Sequence, residues 1–186
     1  MLTGVFVLQS VSEMDTVAAP LEAPLGPIYS FVPAGGVHHA SDQRVSEMTR
    51  RLVESLHLYL EADGDGRSVL LADFQKDPGT AMQPKPFTIL CADLSNANPG
   101  QARNAVWNSE VIFLVSATDP VSIDEARETA AWLRTLKSDD CLGLLLMPSP
   151  DGVTSREAEK ITGIPVCAVI QSASDLAQLA RWIALE

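Results

Sequence analysis

Two adjacent glycines, Gly35 and Gly36, stand between an apolar run and an amphipathic segment. A phosphate-binding loop uses such glycines so that backbone N–H groups can surround the phosphates; it adds a lysine for the terminal phosphates and a Ser or Thr hydroxyl for magnesium. Here the next residues, 37–40, are Val-His-His-Ala. The imidazole of His39 is mostly uncharged at pH 7, and Ala40 has no hydroxyl. The pattern therefore predicts the turn of a phosphate-binding loop without its cation or its magnesium ligand.

The adjacent histidines allow a second interpretation. His38 and His39 could bind a metal ion, since neutral imidazole is a common metal ligand. Adjacent side chains point in different directions, however, and no third ligand is evident in the sequence. We therefore favour residues that replaced those of a phosphate loop, and we expect no metal site here.

Two aspartates further along the chain each end an apolar run. Asp73 closes Val-Leu-Leu-Ala-Asp, and Asp93 closes Thr-Ile-Leu-Cys-Ala-Asp. The carboxyl ends of parallel strands meet at one edge of a sheet, so the two carboxylates are expected close together, where they could hold magnesium. Without a phosphate to bring the metal, we favour vestigial acids, and we assign no catalytic residue.

Apolar runs and helical periodicities alternate along the chain. Strands are predicted at residues 28–32, 69–73, 88–93, 111–115, 142–147 and 166–170. Helices are predicted from the three- and four-residue spacing of apolar side chains between Val45 and Leu60, and at 101–107, 122–136, 155–162 and 174–185. This alternation predicts an α/β fold, a doubly wound and mostly parallel sheet with helices on both faces. We assign it to residues 26–186 and interpret residues 1–25, with their Pro/Ala stretch, as an arm or linker.

The connection between the second and third predicted strands does not fit a helix. Only thirteen residues separate Asp73 from Phe87, and they include Pro78, Pro84 and Pro86. Prolines at this spacing forbid a regular crossover helix. We therefore predict an extended loop between two strands that can still be parallel.

The composition disfavours two classes of partner. The formal net charge of −11 repels nucleic-acid phosphates, and the best basic cluster, Arg50-Arg51, fits the solvated face of a helix. No apolar run approaches the ~20 residues of a membrane helix, and we find no signal-peptide pattern at the start. We expect a cytoplasmic protein.

Cys91, Cys141 and Cys167 lie in or beside apolar runs without metal-ligand spacing, which predicts buried, reduced thiols.

Residues 28–40 resemble the first strand and the deviant Walker A motif of the ParA/MinD-type P-loop NTPases, Lys-Gly-Gly-x-Gly-Lys-Ser/Thr. The seven positions of that motif correspond, in order, to Ala34, Gly35, Gly36, Val37, His38, His39 and Ala40. The two leading glycines match, whereas both lysines, the third glycine and the Ser/Thr are replaced. The resemblance implies a three-layer α/β/α fold whose nucleotide site is vestigial.

The resemblance continues over about residues 26–185. Residues 69–74 are similar to the family's second strand, with Asp73 as its acid, and residues 87–94 to the Walker B strand, with Asp93 as the acid of the magnesium shell. Residues 163–170 are similar to the late Gly-φ-Pro-φ strand. The order and spacing of these segments carry the resemblance, because the most diagnostic motif is altered.

One branch of the family resembles the chain most. The residues before the glycines, and Leu-Leu-Ala-Asp-Phe at 70–74, are similar to the CpaE/TadZ proteins of Flp pilus assembly, which act at the cell pole and include members with atypical Walker A motifs. Capsule-synthesis tyrosine kinases share the core but carry a C-terminal tyrosine cluster, whereas this chain has only Tyr29 and Tyr59.

The resemblance thus implies a pseudo-ATPase that binds no cofactor and acts as a scaffold or localisation factor in pilus or envelope assembly, at the inner membrane or cell pole. Its expected partners are proteins, including a second copy across the former nucleotide site, although a monomer stays open. Two alternatives remain: a weak ATPase that binds ATP and magnesium through Asp73 and Asp93, and a receiver-like regulatory domain with an acidic phosphoacceptor.

Overall fold

A computed structural model describes residues 26–36, 43–62, 69–73 and 89–185 of the chain. The strands are β1 (Ile28–Pro33), β2 (Val69–Asp73), β3 (Ile89–Asp93), β4 (Val111–Ala117), β5 (Leu142–Met147) and β6 (Val166–Val169). The helices are α1 (Gln43–Ala62), α2 (Pro99–Asn108), α3 (Pro120–Arg134), α4 (Ser155–Thr162) and α5 (Ala173–Leu185), with a short 3-10 helix at Asp139–Cys141. The predicted elements are confirmed within these residues.

The six described strands form one sheet in the order β2-β3-β1-β4-β5-β6, and every neighbouring pair is parallel. Helices α1 and α5 pack on one face, and α2, α3 and α4 pack on the other. The fold is therefore the predicted doubly wound, three-layer α/β/α sandwich. Its strand order reverses beside β1, and in such sheets ligands bind outside the carboxyl ends of the strands at that reversal.

The sheet is buried on both faces near its centre. Every residue of β1 and β3 is buried, as the continuous apolar runs predicted. On the α1 and α5 side, the rings of Tyr29 and Phe31 pack on Phe113, with centroid separations of 6.4 and 5.2 Å. This aromatic cluster fixes the centre of the sheet beneath α5.

Polar caps explain where the predicted helix boundaries were wrong. Helix α2 begins at Pro99, two residues before the prediction, because Asn98 and Gln101 form a capping box. Helix α3 begins at Pro120, because the Asp119 side chain accepts a hydrogen bond from the Ser122 N–H. Apolar periodicity starts at the first core-facing residue, whereas the helix starts at its cap.

The link between β2 and β3 joins strands that are parallel and in register, from Val69 beside Ile89 to Asp73 beside Asp93. The sequence left that orientation open, and the structure settles it. The predicted extended loop itself, with Thr88, lies outside the described residues, as do the predicted arm 1–25 and Val37, His38, His39 and Ala40.

The prediction of three buried thiols is wrong for two of them. Cys91 is buried, and burial raises its pKa to about 12. Cys141 is half-buried and Cys167 is exposed. Cys167 lies in β6, the last strand of the sheet, and a strand at an edge has no neighbour on one side to cover its side chains. An apolar run predicts burial on both sides only for a central strand.

Among the described residues, no helix has the length and hydropathy that a membrane-spanning segment requires.

Replacing Gly163 with alanine tests one turn on which the fold depends. Gly163 ends α4 with φ = 70°, and a Cβ there would lie 2.8 Å from a guanidinium nitrogen of Arg134. We expect Gly163→Ala to lower the free energy of unfolding by about 1–2 kcal/mol, measured by urea denaturation, because the left-handed conformation strains any residue with a Cβ. Gly100→Ala, in the first turn of α2, should leave the stability unchanged within about 0.5 kcal/mol.

Candidate functional site

The candidate site lies at the carboxyl edge of the sheet, where β1 and β3 end side by side. Phe31 is in register with Asp93, and Asp93 with Asp73, so the two aspartate positions are direct neighbours on adjacent strands. Adjacent strands lie ~4.8 Å apart. The expectation that both acids end strands at one edge is confirmed for their backbones.

The turn after β1 uses the conformational freedom of its two glycines. Gly35 has φ = 90° and Gly36 has φ = 62°, values that residues with a Cβ rarely adopt. The Gly36 N–H donates to the Pro33 carbonyl at 3.0 Å, which closes the turn. The Ala34 N–H donates to the Val115 carbonyl at 2.8 Å, which ties the turn to β4.

A side chain of α3 binds the first glycine of this turn. The Gly35 N–H donates to Thr129 Oγ1 at 3.1 Å, and that hydroxyl in turn donates to the Glu125 carbonyl at 2.9 Å. Thr129 is only 5% exposed, so the interaction is shielded from water. Both glycine amides of the turn are thus hydrogen-bonded within the protein. Sequence reasoning missed Thr129, because nothing in its local pattern distinguishes it from other helix residues.

Asp93 is buried, with 4% of its surface exposed, and its carboxylate binds the next turn of its own chain. Oδ1 accepts from the Ser95 N–H at 2.9 Å and from Ser95 Oγ at 2.6 Å. This is the arrangement by which aspartate stabilises a turn two residues on. The Asp-Leu-Ser sequence was the available signal for it.

Arginine and glutamate side chains of α1 line the space beside this turn. Arg50 binds Glu47 at 2.8 Å and Glu54 at 3.1 Å, and Arg51 binds Glu47 at 2.7 Å. Hydrogen bonds from Arg50 and then Arg51 lower the pKa of Glu47 to about 2. The interpretation of Arg50-Arg51 as a solvated face fits Arg51, which is mostly exposed, but Arg50 is half-buried beside the site.

A cavity of about 650 Å³ opens here. It is lined by Gln43, Arg44, Ser46, Glu47, Arg50, Ser95 and Asn96. Its size is within the range of ligand pockets, and its lining is polar. The pKa of Arg50 is raised, first by the hydrogen bond to Glu47, then by the charges of Glu47 and Glu54, and least by Asp93. The cations of this cavity therefore already interact with carboxylates of the protein.

A second arginine joins α1 to α3. The guanidinium of Arg44 binds the carboxylate of Asp119, which also accepts from the N–H and Oγ of Ser122 at 3.1 and 2.9 Å. Burial alone would raise the pKa of Asp119, but the Ser122 hydrogen bonds and the Arg44 charge outweigh it, so the pKa is lowered. This carboxylate fastens the start of α3 to the start of α1.

The structure therefore gathers Gly35, Gly36 and Asp93, together with the backbone of Asp73, at one edge of the sheet, as the sequence predicted. It adds Ser95, Thr129 and Arg44, which the sequence did not single out. Over the described part of the chain, no group of three His, Cys, Asp or Glu side chains is placed to hold a metal ion.

The chain matches no protein-family model and no curated protein, but its backbone is similar to solved ATPases. The MinD cell division protein of Aquifex aeolicus aligns with a TM-score of 0.62 and 11% identity, over 87% of this chain and 98% of its own. A ParA family ATPase of Chlorobium tepidum aligns with a TM-score of 0.61 and 13% identity, over 83% and 88%. The cell division ATPase MinD of Pyrococcus furiosus aligns with a TM-score of 0.58 and 14% identity, over 86% and 99%.

At these identities the alignments establish the fold. This chain has the three-layer, P-loop NTPase-like fold of the MinD and ParA ATPases.

Proposed function

We propose that this protein is a ParA/MinD-like domain that no longer hydrolyses ATP and acts through protein contacts as a scaffold or localisation factor. The observation that carries the proposal is the hydrogen bond from the Gly35 N–H to Thr129 Oγ1, in a loop that also lacks the lysines and the Ser/Thr of the family motif. The fold retains the turn of a phosphate loop, but the Gly35 and Gly36 amides and the arginines beside the turn interact with other groups of this chain.

The backbone amides are the first support. A phosphate cradle needs N–H groups that point at the ligand. The amides of Gly35 and Gly36 instead donate to Thr129 Oγ1 and to the Pro33 carbonyl. To bind phosphate, the Gly35 amide would first have to leave a buried acceptor, and an unsatisfied buried group costs about 1–3 kcal/mol.

The missing charges are the second support. Phosphoryl transfer depends on cations that neutralise the transferring group, and removing one preorganised donor from a catalytic site typically costs ~10²–10³ in rate. The positions of the two motif lysines hold Ala34 and His39, and the magnesium hydroxyl is replaced by the methyl group of Ala40. These losses act on the same charged group, so together they remove the basis of hydrolysis.

The environment of Asp93 is the third support. Its Oδ1 accepts two hydrogen bonds from Ser95, and the charge of Arg50 lies close enough to interact with it. A magnesium ion bound at Oδ1 would have to displace the Ser95 hydrogen bonds, and it would lie near the positive charge of Arg50. These interactions of Asp93 support a site that no longer holds a magnesium-bound nucleotide.

Protein partners suit the cavity better than a free anion. Arg44 binds Asp119, and Arg50 binds Glu47 and Glu54, so little uncompensated positive charge remains for a phosphate or a carboxylate. The remaining lining supplies amide and hydroxyl groups, which suit an uncharged polar peptide segment. By analogy with the CpaE/TadZ branch, we place the protein in pilus or envelope assembly on the cytoplasmic side of the inner membrane, with a second copy as one candidate partner.

A weak Mg-ATP-binding ATPase is the second candidate, and one observation favours it. Asp73 and Asp93 are neighbours on adjacent strands at the edge where the family binds magnesium. A receiver-like domain is less well supported, because receivers have the strand order 2-1-3-4-5, whereas β3 separates β2 from β1 here.

Titration calorimetry with Mg-ATP and Mg-ADP distinguishes the first two candidates. We expect no binding heat at protein concentrations in the tens of micromolar, because the Gly35 and Gly36 amides donate within the protein and the two lysine positions hold Ala34 and His39. A dissociation constant in the micromolar range for either nucleotide would overturn the scaffold proposal in favour of the ATPase.

A converse variant tests whether the loop residues are responsible. The change A34K/H38G/H39K/A40T rebuilds the family motif on this backbone, and we expect it to bind Mg-ATP at least about tenfold more tightly than the native chain, equivalent to about 1.4 kcal/mol. A34K alone serves as the control for added charge. Equal weak binding by the quadruple variant, A34K and the native chain would show that the loss of binding lies elsewhere.

Replacing Thr129 with valine tests the contact between α3 and the turn. We expect Thr129→Val to lower the free energy of unfolding by about 1–3 kcal/mol, because the buried Gly35 amide loses its acceptor. Hydrogen exchange at Gly35 should become faster, as measured by NMR.

Thr49→Val is the matched control for that variant. Thr49 is a buried helix threonine whose hydroxyl donates to the carbonyl four residues earlier, that of Val45, as Thr129 does to Glu125. The loss in Thr129→Val should exceed the loss in Thr49→Val by the contribution of the accepted bond. Equal losses, with unchanged exchange at Gly35, would show that Thr129 does not hold the Gly35 amide.

A further inference from the structure

A side chain of α4 binds the outer edge of β6. Among the described strands, β6 pairs with β5 alone, so it ends the sheet on that side. The Val166 N–H donates to Oε1 of Glu159 at 2.8 Å. Glu159 is half-buried in α4, and the left-handed turn at Gly163 returns the chain into β6, which brings the carboxylate beside the strand. The contact lies where a further strand would have to pair.

The hydrogen bonds to β5 show which groups of β6 face outward. Leu144 stands opposite Val166, and its N–H donates to the carbonyl of the residue before Val166 at 2.9 Å. Leu146 stands opposite Val169, and its carbonyl accepts from the residue after Val169 at 2.8 Å. In a parallel pair, a residue flanked by such bonds turns its own N–H and C=O to the other side. Val166 and Val169 therefore carry the groups that another strand would bind.

The spacing of these two residues favours a second copy of this chain as the strand that would fit. A bulge in the pairing with β5 separates Val166 from Val169 by three positions, whereas the opposing Leu144 and Leu146 are two positions apart. A regular antiparallel strand presents its outward groups at every second residue, so it does not match both valines. An antiparallel β6 of a second copy has the same bulge, and its two valines would stand opposite these two in reverse order. The edge is therefore self-complementary, but Glu159 occupies the Val166 N–H.

We infer that Glu159 blocks this edge: by binding the Val166 N–H, it keeps β6 from pairing with the β6 of a second copy. β6 has the apolar sequence Val-Cys-Ala-Val. Apolar edge strands promote association, and proteins oppose it with bulges and charged side chains at the edge. A second copy would have to displace the carboxylate before it could pair. The inference is independent of the proposed function, because β4 and β5 separate β6 from β1 and its glycine turn.

Cysteine cross-linking in the full chain tests the inference. Cys167 is exposed between the two valines, and Cys91 is buried with a pKa of about 12, so Cys141→Ser leaves one reactive thiol. In the pairing of two β6 strands, both Cys167 side chains lie near the two-fold axis. With a short bis-maleimide, we expect Glu159→Ala to give about tenfold more cross-linked dimer than the chain that keeps Glu159, because a competing hydrogen bond to a charged group is lost. Sedimentation velocity should show the same association when Cys167 is replaced by serine.

Glu159→Gln is the matched control. Glutamine removes the same charge but keeps an Oε1 that accepts from the Val166 N–H, so its cross-linking should stay near the native level. Burial, and then the charge of Glu159, raise the pKa of Cys167. Both variants remove that charge, so any gain in thiol reactivity is common to them, and the difference between them reports the hydrogen bond. Glu159→Met, which keeps the side-chain length without a strong acceptor, should behave like Glu159→Ala, and urea denaturation shows that each variant is folded.

Three results would overturn the inference. Native levels of cross-linking in folded Glu159→Ala and Glu159→Met would show that the carboxylate does not prevent pairing. Equal increases in Glu159→Ala and Glu159→Gln would assign the effect to the lost charge and not to the Val166 N–H. Association of Glu159→Ala that is seen by sedimentation but gives no cross-link through Cys167 would place the contact at another surface.

Discussion

The position of β1 at the centre of the sheet determines the rest of this structure. β1 forms parallel pairs with β3 on one side and with β4 on the other, and all six of its residues are buried. A buried hydrogen bond of 2.7 Å between the hydroxyls of Ser30 and Ser109 adds a polar contact to its start. Because both ladders fix the register of β1, they also fix where its following turn lies relative to Asp93 and α3.

The sequence predicted the fold because its signals are local. Continuous apolar runs identify central strands such as β1 and β5, and three- to four-residue spacing identifies α1 and α3. The same reasoning failed at β6, where Cys167 is exposed, since an edge strand and a central strand can have equally apolar sequences. Which strand lies at the edge is a property of the sheet order, and no single segment records that order.

The candidate site likewise contains residues that could be identified from the sequence and residues that could not. Gly35, Gly36 and Asp93 were identifiable because glycine pairs and strand-terminal aspartates have local meaning. Thr129 and Arg44 were not, because their roles depend on partners 94 and 75 residues away in the sequence. Side chains that join two elements across the sheet edge become visible only when the register places those elements together.

The retained glycines do not themselves indicate a bound nucleotide. At φ values of 90° and 62°, a residue with a Cβ would cost about 1–2 kcal/mol at each position whether or not a phosphate is present. The turn also packs against α3, where a Cβ on Gly36 would lie 3.5 Å from Thr129 Oγ1. The backbone conformation alone therefore favours glycine at these two positions.

Under the proposed function, the lysine and hydroxyl positions of the motif have no ligand to bind and are free to change. A loop whose glycines remain, while the residues at its lysine and hydroxyl positions are Ala34, His39 and Ala40, is the pattern expected when the backbone geometry is still needed for packing and the phosphate chemistry is not. The hydrogen bond between Gly35 and Thr129 gives that geometry a structural role of its own.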